Sequence, residues 1–188
     1  MRVEPATTSD LPAIRAAYAD ARTIQREQGA ILWPEFPDEA IAEEIEAGRL
    51  LRVMDGDALV GVFSVAYEDA AIWGEHERGE HIYLHRIARA ASYPGRGLIA
   101  AVLGWARARC RALGRAGLRM DTWASNDALV AFYERQGFRV VGRRRIGIEP
   151  RLPAHYHGGE FTLLEERCAN EGRSAGPARV ADDLEPRR

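Results

Sequence analysis

The sequence predicts an α/β fold, a single mixed sheet of six to seven strands flanked by about four helices, and three observations predict it. Short apolar segments that alternate every second residue are interspersed with longer ones whose apolar residues recur at three and four positions. An antiparallel hairpin and a strand, glycine turn and helix unit occur in the same chain, so the sheet carries both strand directions. At 188 residues, 46% hydrophobic and 29% charged with a formal net charge of -2, the chain has the size and balance of one soluble domain.

Each element follows from local chemistry. Leu11, Ile14, Ala17, Tyr18 and Ala21 follow Ser9-Asp10, a good N-cap pair, and predict a helix from about residue 9 to Gly29. The run from Trp33 to Pro37 breaks it, and Asp38 caps a second helix carrying Ile41 and Ile45 that ends near Gly48. Leu50 to Met54, the turn Asp55-Gly56-Asp57 and Ala58 to Tyr67 form a hairpin, so the chain begins helix, helix, strand, strand. Residues 68–79 are polar and loop-like, and His81 to Arg89 alternates as a strand. Leu98, Val102, Trp105, Ala106 and Cys110 mark a long helix from Gly97 to about Gly114. Gly117 to Thr122 is a strand, Asn126 to Gln136 a helix stopped by Gly137, Phe138 to Ile146 a strand and Glu160 to Glu166 the last one. Residues 1–167 therefore form one domain, and 168–188, poor in large apolar residues, read as a disordered tail.

Composition excludes several chemistries. All 26 basic residues are arginine, so a phosphate-loop nucleotidase, a protein kinase and a pyridoxal enzyme each lack their lysine. Cys110 and Cys168 suggest neither a disulfide framework nor paired zinc ligands, and His155-x-His157 lacks a third ligand, so no metal is expected. The N-terminus lacks the layout of a secretion signal, and the most apolar run, Leu59 to Tyr67, is too short to span a bilayer; a cytoplasmic protein without membrane partners is the expectation. Balanced charge gives no reason to expect nucleic acid, and Arg143, Arg144 and Arg145 read as a solvated strand face.

The chemistry concentrates in Tyr93-Pro-Gly-Arg-Gly-Leu-Ile-Ala100. Gly95 and Gly97, between a strand and a helix, let the backbone approach a ligand, while the first helical amides and Arg96 favour an anion such as a pyrophosphate. The same letters satisfy a loose dinucleotide fingerprint, Gly95-x-Gly97-x-x-Ala100, with Asp121 placed to hold a ribose. That NAD(P)-binding oxidoreductase reading requires the unit to open the domain, whereas two helices and a hairpin precede it.

Further on stand Asp121-Thr-Trp-Ala-Ser-Asn126, Ala128, Leu129 and Phe132-Tyr133-Glu134-Arg135-Gln136-Gly137-Phe138. From about Leu51 to Phe138 the chain resembles the GNAT superfamily of acyl-CoA N-acyltransferases, in which a glycine-rich pyrophosphate motif precedes an Asn, Ala and Phe-Tyr-x-x-x-Gly-Phe segment. The second half matches closely; in the first, Pro94 and Ile99 depart from the pattern while Gly97 keeps its place. The resemblance implies a mostly antiparallel sheet with a V-shaped splay, and acetyl-CoA as cosubstrate for N-acetyl transfer to a small-molecule or peptide amine. It also implies the site. Ile87, Ala88 and Arg89 would line the pantetheine arm, with the Ile87 amide as oxyanion donor. Gly95, Arg96, Gly97, Leu98, Ile99 and Ala100 would hold the pyrophosphate, and Asn126, Phe132 and Tyr133 would border the thioester, with Tyr133 protonating the departing thiolate.

Residues 81, 83 and 85 share a strand face, and similar enzymes place a base at the positions of Tyr83 and His85. His85 is the candidate base, because imidazole titrates near neutrality, with Glu80 and His81 in reserve. The resemblance places Trp33, Phe36, Tyr83 and Trp123 around the acceptor, with Trp73 as a further candidate. Two other readings stay open here: a non-catalytic acyl-CoA-binding domain, and a monomer as against a homodimer joined through the last strands.

Overall fold

The computed structural model describes residues 1–93, 96–150 and 152–168. The chain opens not with a helix but with a strand, β1 (Arg2–Pro5), which pairs antiparallel with β2 (Leu50–Asp55), Arg2 opposite Met54 and Pro5 opposite Leu51. Four residues ending in proline carry too little alternation to be seen in sequence; β2 supplies the register, and an edge position tolerates the proline. Helix α1 (Leu11–Glu27) buries Ile14, Ala17 and Tyr18. A short 3-10 turn precedes it, so the Asp10 carboxylate accepts from the Thr7 amide at 2.7 Å and from Arg52 Nη1 at 2.7 Å instead of capping the helix. Helix α2 (Asp38–Glu46) starts after Pro37, which leaves Asp38 in the first turn, where its charge suits the helix dipole.

The remaining elements are β3 (Ala58–Ala66), α3 (Ala70–Trp73), β4 (His81–Arg89), α4 (Leu98–Ala112), β5 (Gly117–Trp123), α5 (Asp127–Arg135), β6 (Arg139–Arg145) and β7 (Glu160–Arg167). α3 lies in the segment expected to be a loop; Asp69 Oδ1 caps it by accepting from the Ile72 amide at 3.2 Å. The sheet order is β1-β2-β3-β4-β5-β7-β6, antiparallel throughout except for β4 beside β5. A doubly wound dinucleotide domain needs parallel strands across its switch point, so the oxidoreductase reading falls. The expected tail lies, from residue 169 onward, outside the described residues. Among the described residues no helix is long and apolar enough to cross a membrane.

Each face of the sheet has its own core. α1 and α2 pack through Ile14, Tyr18, Ile41 and Ile45 onto Leu50, Val62 and Ala88. α4 and α5 pack through Val102, Leu103, Ala106 and Tyr133 onto Phe63, Leu84, Leu118 and Leu164. Each large aliphatic side chain so buried contributes about 1.5–3 kcal/mol. Gly61 is what lets α4 sit so close, since a Cβ there would stand 2.7 Å from the Ala88 carbonyl oxygen and 2.7 Å from Leu98 Cδ1.

The feature that positions the site is a divergence of two strands. β4 and β5 pair only through His81 with Gly117, Ile82 with Leu118 and Tyr83 with Arg119. Among the described residues, β4 beyond Tyr83 pairs only with β3, and β5 beyond Arg119 pairs only with β7. The closed end of this V is pinned by charge: Arg119 donates to Glu165 Oε2 from Nε at 3.1 Å and from Nη2 at 2.9 Å, and to the His76 carbonyl at 2.9 Å. Its guanidinium lies 4.2 Å from the Trp73 ring centroid.

Candidate active site

On the donor side the open flank of β4 is shaped by a bulge. Ser64 pairs with His85 and Val62 with Ala88, so Phe63 faces two residues, Arg86 and Ile87, and Arg86 takes a left-handed φ of 49°. The Ala90 amide donates to the Val60 carbonyl at 3.1 Å, which fixes the phase of the ladder. By alternation Ala88 also turns its backbone toward β3, while Ile87 and Arg89 turn theirs into the splay. α4 begins at Gly97, whose φ of 108° excludes most other residues without strain. The Ala101 amide makes the first intrahelical bond, to the Gly97 carbonyl at 2.9 Å, so the amides of Gly97, Leu98, Ile99 and Ala100 have no partner within the helix. Arg96 beside them is exposed; Gly95 and Pro94 lie outside the described residues.

α5 brings the other donor-side residues. Asn126 caps it, Oδ1 accepting from the Leu129 amide at 3.1 Å, which leaves its Nδ2 for another partner. Tyr133 is buried against Phe132 and Phe138, with ring centroids 5.2 and 5.9 Å away. Burial pushes its phenol up to about 12, so it stays protonated across the neutral range.

On the acceptor side a cavity of about 240 Å³ is bounded by Trp33, Phe36, Ser64, His85, Arg86 and Tyr156. A larger groove of about 960 Å³ between α1 and the residues around Pro37 touches none of the candidate acid, base or oxyanion groups. His85 Nε2 lies 3.6 Å from Asp69 Oδ2, and its Nδ1 lies 3.7 Å from Asp121 Oδ1. These three offer ligand atoms within 4.8 Å of one another, a set able to hold a cation or to share a proton. Burial, with Arg86 adding to it, lowers the His85 imidazole to about 4, while burial and the Asp69 charge raise the Asp121 carboxyl to about 7. His85 is therefore a neutral imidazole at pH 7, and of the two groups it is Asp121 whose proton moves near neutrality. Arg86 Nη2 donates to Glu44 and, at 2.9 Å, to Ser64 Oγ, and its guanidinium lies 4.9 Å from the Phe36 ring centroid.

Of the expected acceptor residues, Trp33 and Phe36 reach this cavity, the loop held in place by the Trp33 amide donating to Gln25 Oε1 at 2.9 Å. Tyr83 and Trp123 do not line it. Tyr83 is fully buried at the closed end of the V, its hydroxyl accepting from Arg119 Nη1 at 3.2 Å and its ring 5.8 Å from that of Trp73, itself in the core. Trp123 packs on Phe161, centroids 4.4 Å apart. His81 faces Glu165 at 3.5 Å, and Glu80 is exposed, so neither reserve base meets the cavity. His155 lines it, whereas His157 Nε2 lies 3.0 Å from the Glu149 carbonyl oxygen. Sequence reasoning missed Asp69, Arg86 and Tyr156. It also read Asp121 as a ribose ligand, although the alternation that places Asp121 on β5 was itself visible.

Comparison with known proteins agrees with this geometry. The model of the acetyltransferase (GNAT) family matches residues 15–138. The chain is 30% identical over 162 residues to the uncharacterized N-acetyltransferase YesJ of Bacillus subtilis (strain 168), across 75% of this chain and 89% of that one. A GNAT-family acetyltransferase from Listeria monocytogenes 4b F2365 superposes with a TM-score of 0.69 at 21% identity, over 88% of this chain and 94% of its own. The yncA protein of Salmonella typhimurium, solved with its cofactor acetyl-CoA, shares the fold with a TM-score of 0.62 at 15% identity, over 95% and 98% of the two chains. A sheet that opens after Tyr83, an α4 whose first amides have no partner within the helix and a family model spanning both lead to one conclusion: this chain is an acetyltransferase and belongs to the GNAT family.

Proposed function

We propose that this protein transfers the acetyl group of acetyl-CoA to the amine of a small molecule seated in the cavity beside His85. One observation carries the reading: the β4 bulge is where the two half-sites meet. His85 and Arg86 line the cavity, and the next residues, Ile87 and Arg89, aim their backbone groups into the splay. The cavity has room for about eight waters at roughly 30 Å³ each, the scale of a small molecule.

Acetyl-CoA, when bound, supplies the thioester. The Gly97 to Ala100 amides and Arg96 hold its diphosphate, as helix N-termini hold anions. The Ile87 and Arg89 backbone groups pair with the pantetheine arm. The Ile87 amide donates to the thioester oxygen as it gains charge. His85 takes the amine proton, directly or through water, and the Asp69 and Asp121 carboxylates stabilise the resulting imidazolium. Tyr133 gives its proton to the sulfur. Burial that raises the phenol acts in the same direction on a thiolate in the same cleft, so the gap between donor and acceptor stays close to that of the free groups.

The test is thiol release from acetyl-CoA with a panel of small amines, beside calorimetry with CoA and with NAD(P). Turnover and CoA heat, with none from NAD(P), are expected, and Tyr133→Phe should lower turnover about 100-fold at unchanged CoA affinity. CoA binding without turnover on any amine would leave a binding domain. An unslowed Tyr133→Phe would remove the acid.

A further inference from the structure

Charges of both signs line the acceptor cavity. Asp69 and Asp121 flank His85, and Glu44, which pairs with Arg86, and Glu68 line it as well. Arg49 and Arg86 also line it. Arg86 engages Glu44 and Ser64 through Nη2 alone, and no described residue binds its other two nitrogens. Arg49 is exposed and has no ion pair among the described residues, so its guanidinium is available to a ligand.

The spacing of Arg49 from β4 follows from the sheet. The Arg49 carbonyl accepts from the Val65 amide at 2.9 Å, and Val65 pairs with Leu84, the neighbour of His85. Arg49 therefore stands two strands from β4, roughly 10 Å at about 4.8 Å per strand. Between them a side chain entering the cavity meets Trp33, Phe36, Ile72 and Tyr156.

We infer that the acceptor is a free amino acid with an apolar or aromatic side chain, its amine directed to His85 and its carboxylate to Arg49, with Arg86 behind. The carboxylates beside His85 draw the ammonium form and His85 removes its proton, while a planar guanidinium matches a carboxylate through two parallel hydrogen bonds. The inference rests on the proposed transfer. In it His85 passes the first ammonium proton to solvent, the neutral nitrogen bonds to the acetyl carbon, the carbon to sulfur bond breaks, the sulfur takes a proton from Tyr133, and the second nitrogen proton passes to His85 and is returned through solvent to Tyr133. Products are the N-acetyl amino acid and CoA.

The experiment compares L-leucine and L-phenylalanine with their amides and with the matching amines that lack the carboxylate, each with acetyl-CoA. The free acids should exceed their amides at least about tenfold in kcat/KM, the scale of one charge-assisted hydrogen bond. Arg49→Gln should erase that ratio by raising KM for the acid, and Arg49→Lys, which keeps a point charge, should restore part of it. Amides or simple amines acetylated as well as the acids would overturn the inference and leave the transferase standing, as would an Arg49→Gln variant that keeps the wild-type ratio. If no compound of this panel is acetylated while other small amines are, this inference falls and the transferase stands; if no amine of either panel is acetylated while CoA binds, both fall.

Discussion

Glu165→Gln tests the claim that the closed end of the β4/β5 divergence is held by charge. The substitution keeps the shape of the side chain and removes only its charge. Arg119 and Glu165 are each about one-tenth exposed at the side chain, and two guanidinium nitrogens converge on one carboxylate oxygen at 2.9 and 3.1 Å. Breaking a buried pair by removing one partner typically costs about 3–5 kcal/mol, because a charge stays buried without its counterion. Here the guanidinium keeps the Trp73 face and the His76 carbonyl, which places the expected loss at the lower end, about 3 kcal/mol. With a urea dependence of about 2 kcal/mol per molar, the unfolding midpoint at pH 7 should fall by about 1.5 M.

The pH dependence of that loss adds a second reading. Burial pushes the Glu165 carboxyl up, but hydrogen bonds and charge from Arg119 outweigh it and hold it below the usual carboxylate range. A carboxyl lowered on folding stabilises above its unfolded value, near about 4.3, and the contribution is lost as pH falls through the folded value. The wild type and Glu165→Gln should therefore converge in acid. Replacing both partners with leucine should cost far less than removing one. A midpoint shift under about 0.3 M at pH 7, or a gap that stays constant down to acid pH, would refute the reasoning.

Two further outcomes are expected. The wild type should show a rise of kcat/KM with pH near 7 that Asp121→Asn removes; because a carboxyl raised on folding loses stability as pH climbs from its unfolded value toward about 7, the variant should also lose the corresponding slope in urea midpoints between those limits, and persistence of either feature in the variant would clear Asp121 of the matching role. Gly61→Val places a side chain against the Ala88 carbonyl and Leu98, both 2.7 Å from the first added carbon, and should cost about 1–3 kcal/mol while weakening acetyl-CoA binding by displacing the start of α4; thermal melting and calorimetry that both match the wild type would show that the close approach is not needed.

What the residues announced and what they hid divide along physical lines. α4 was legible because Leu98, Val102, Ala106 and Cys110 repeat at helical spacing against a single core, and α5 because Asn126 and Gly137 punctuate it. Alternation correctly put His85 and Tyr83 on one face, but a face is not a depth: Tyr83 lies beneath the cavity because Arg119 and Trp73 enclose it. Arg86 was hidden for the opposite reason. The bulge breaks the two-residue period, so consecutive residues His85 and Arg86 look into the same cavity. Asp69 carried no signal at all, since it reaches His85 from a connection whose path depends on α3.

The insertion of β7 between β5 and β6 sets the order in which the sheet can be completed. Among the described residues β6 has no other neighbour, and β5 meets β4 at only three residue pairs while β7 covers it from Gly117 to Trp123. During synthesis both strands therefore wait for the last one to emerge, each offering an unzipped flank to any other nascent chain. Slow translation or truncation just before Glu160 should accordingly yield aggregates built from the second half of the sheet, while β1 to β4, already paired with their sequence neighbours, stay out of them.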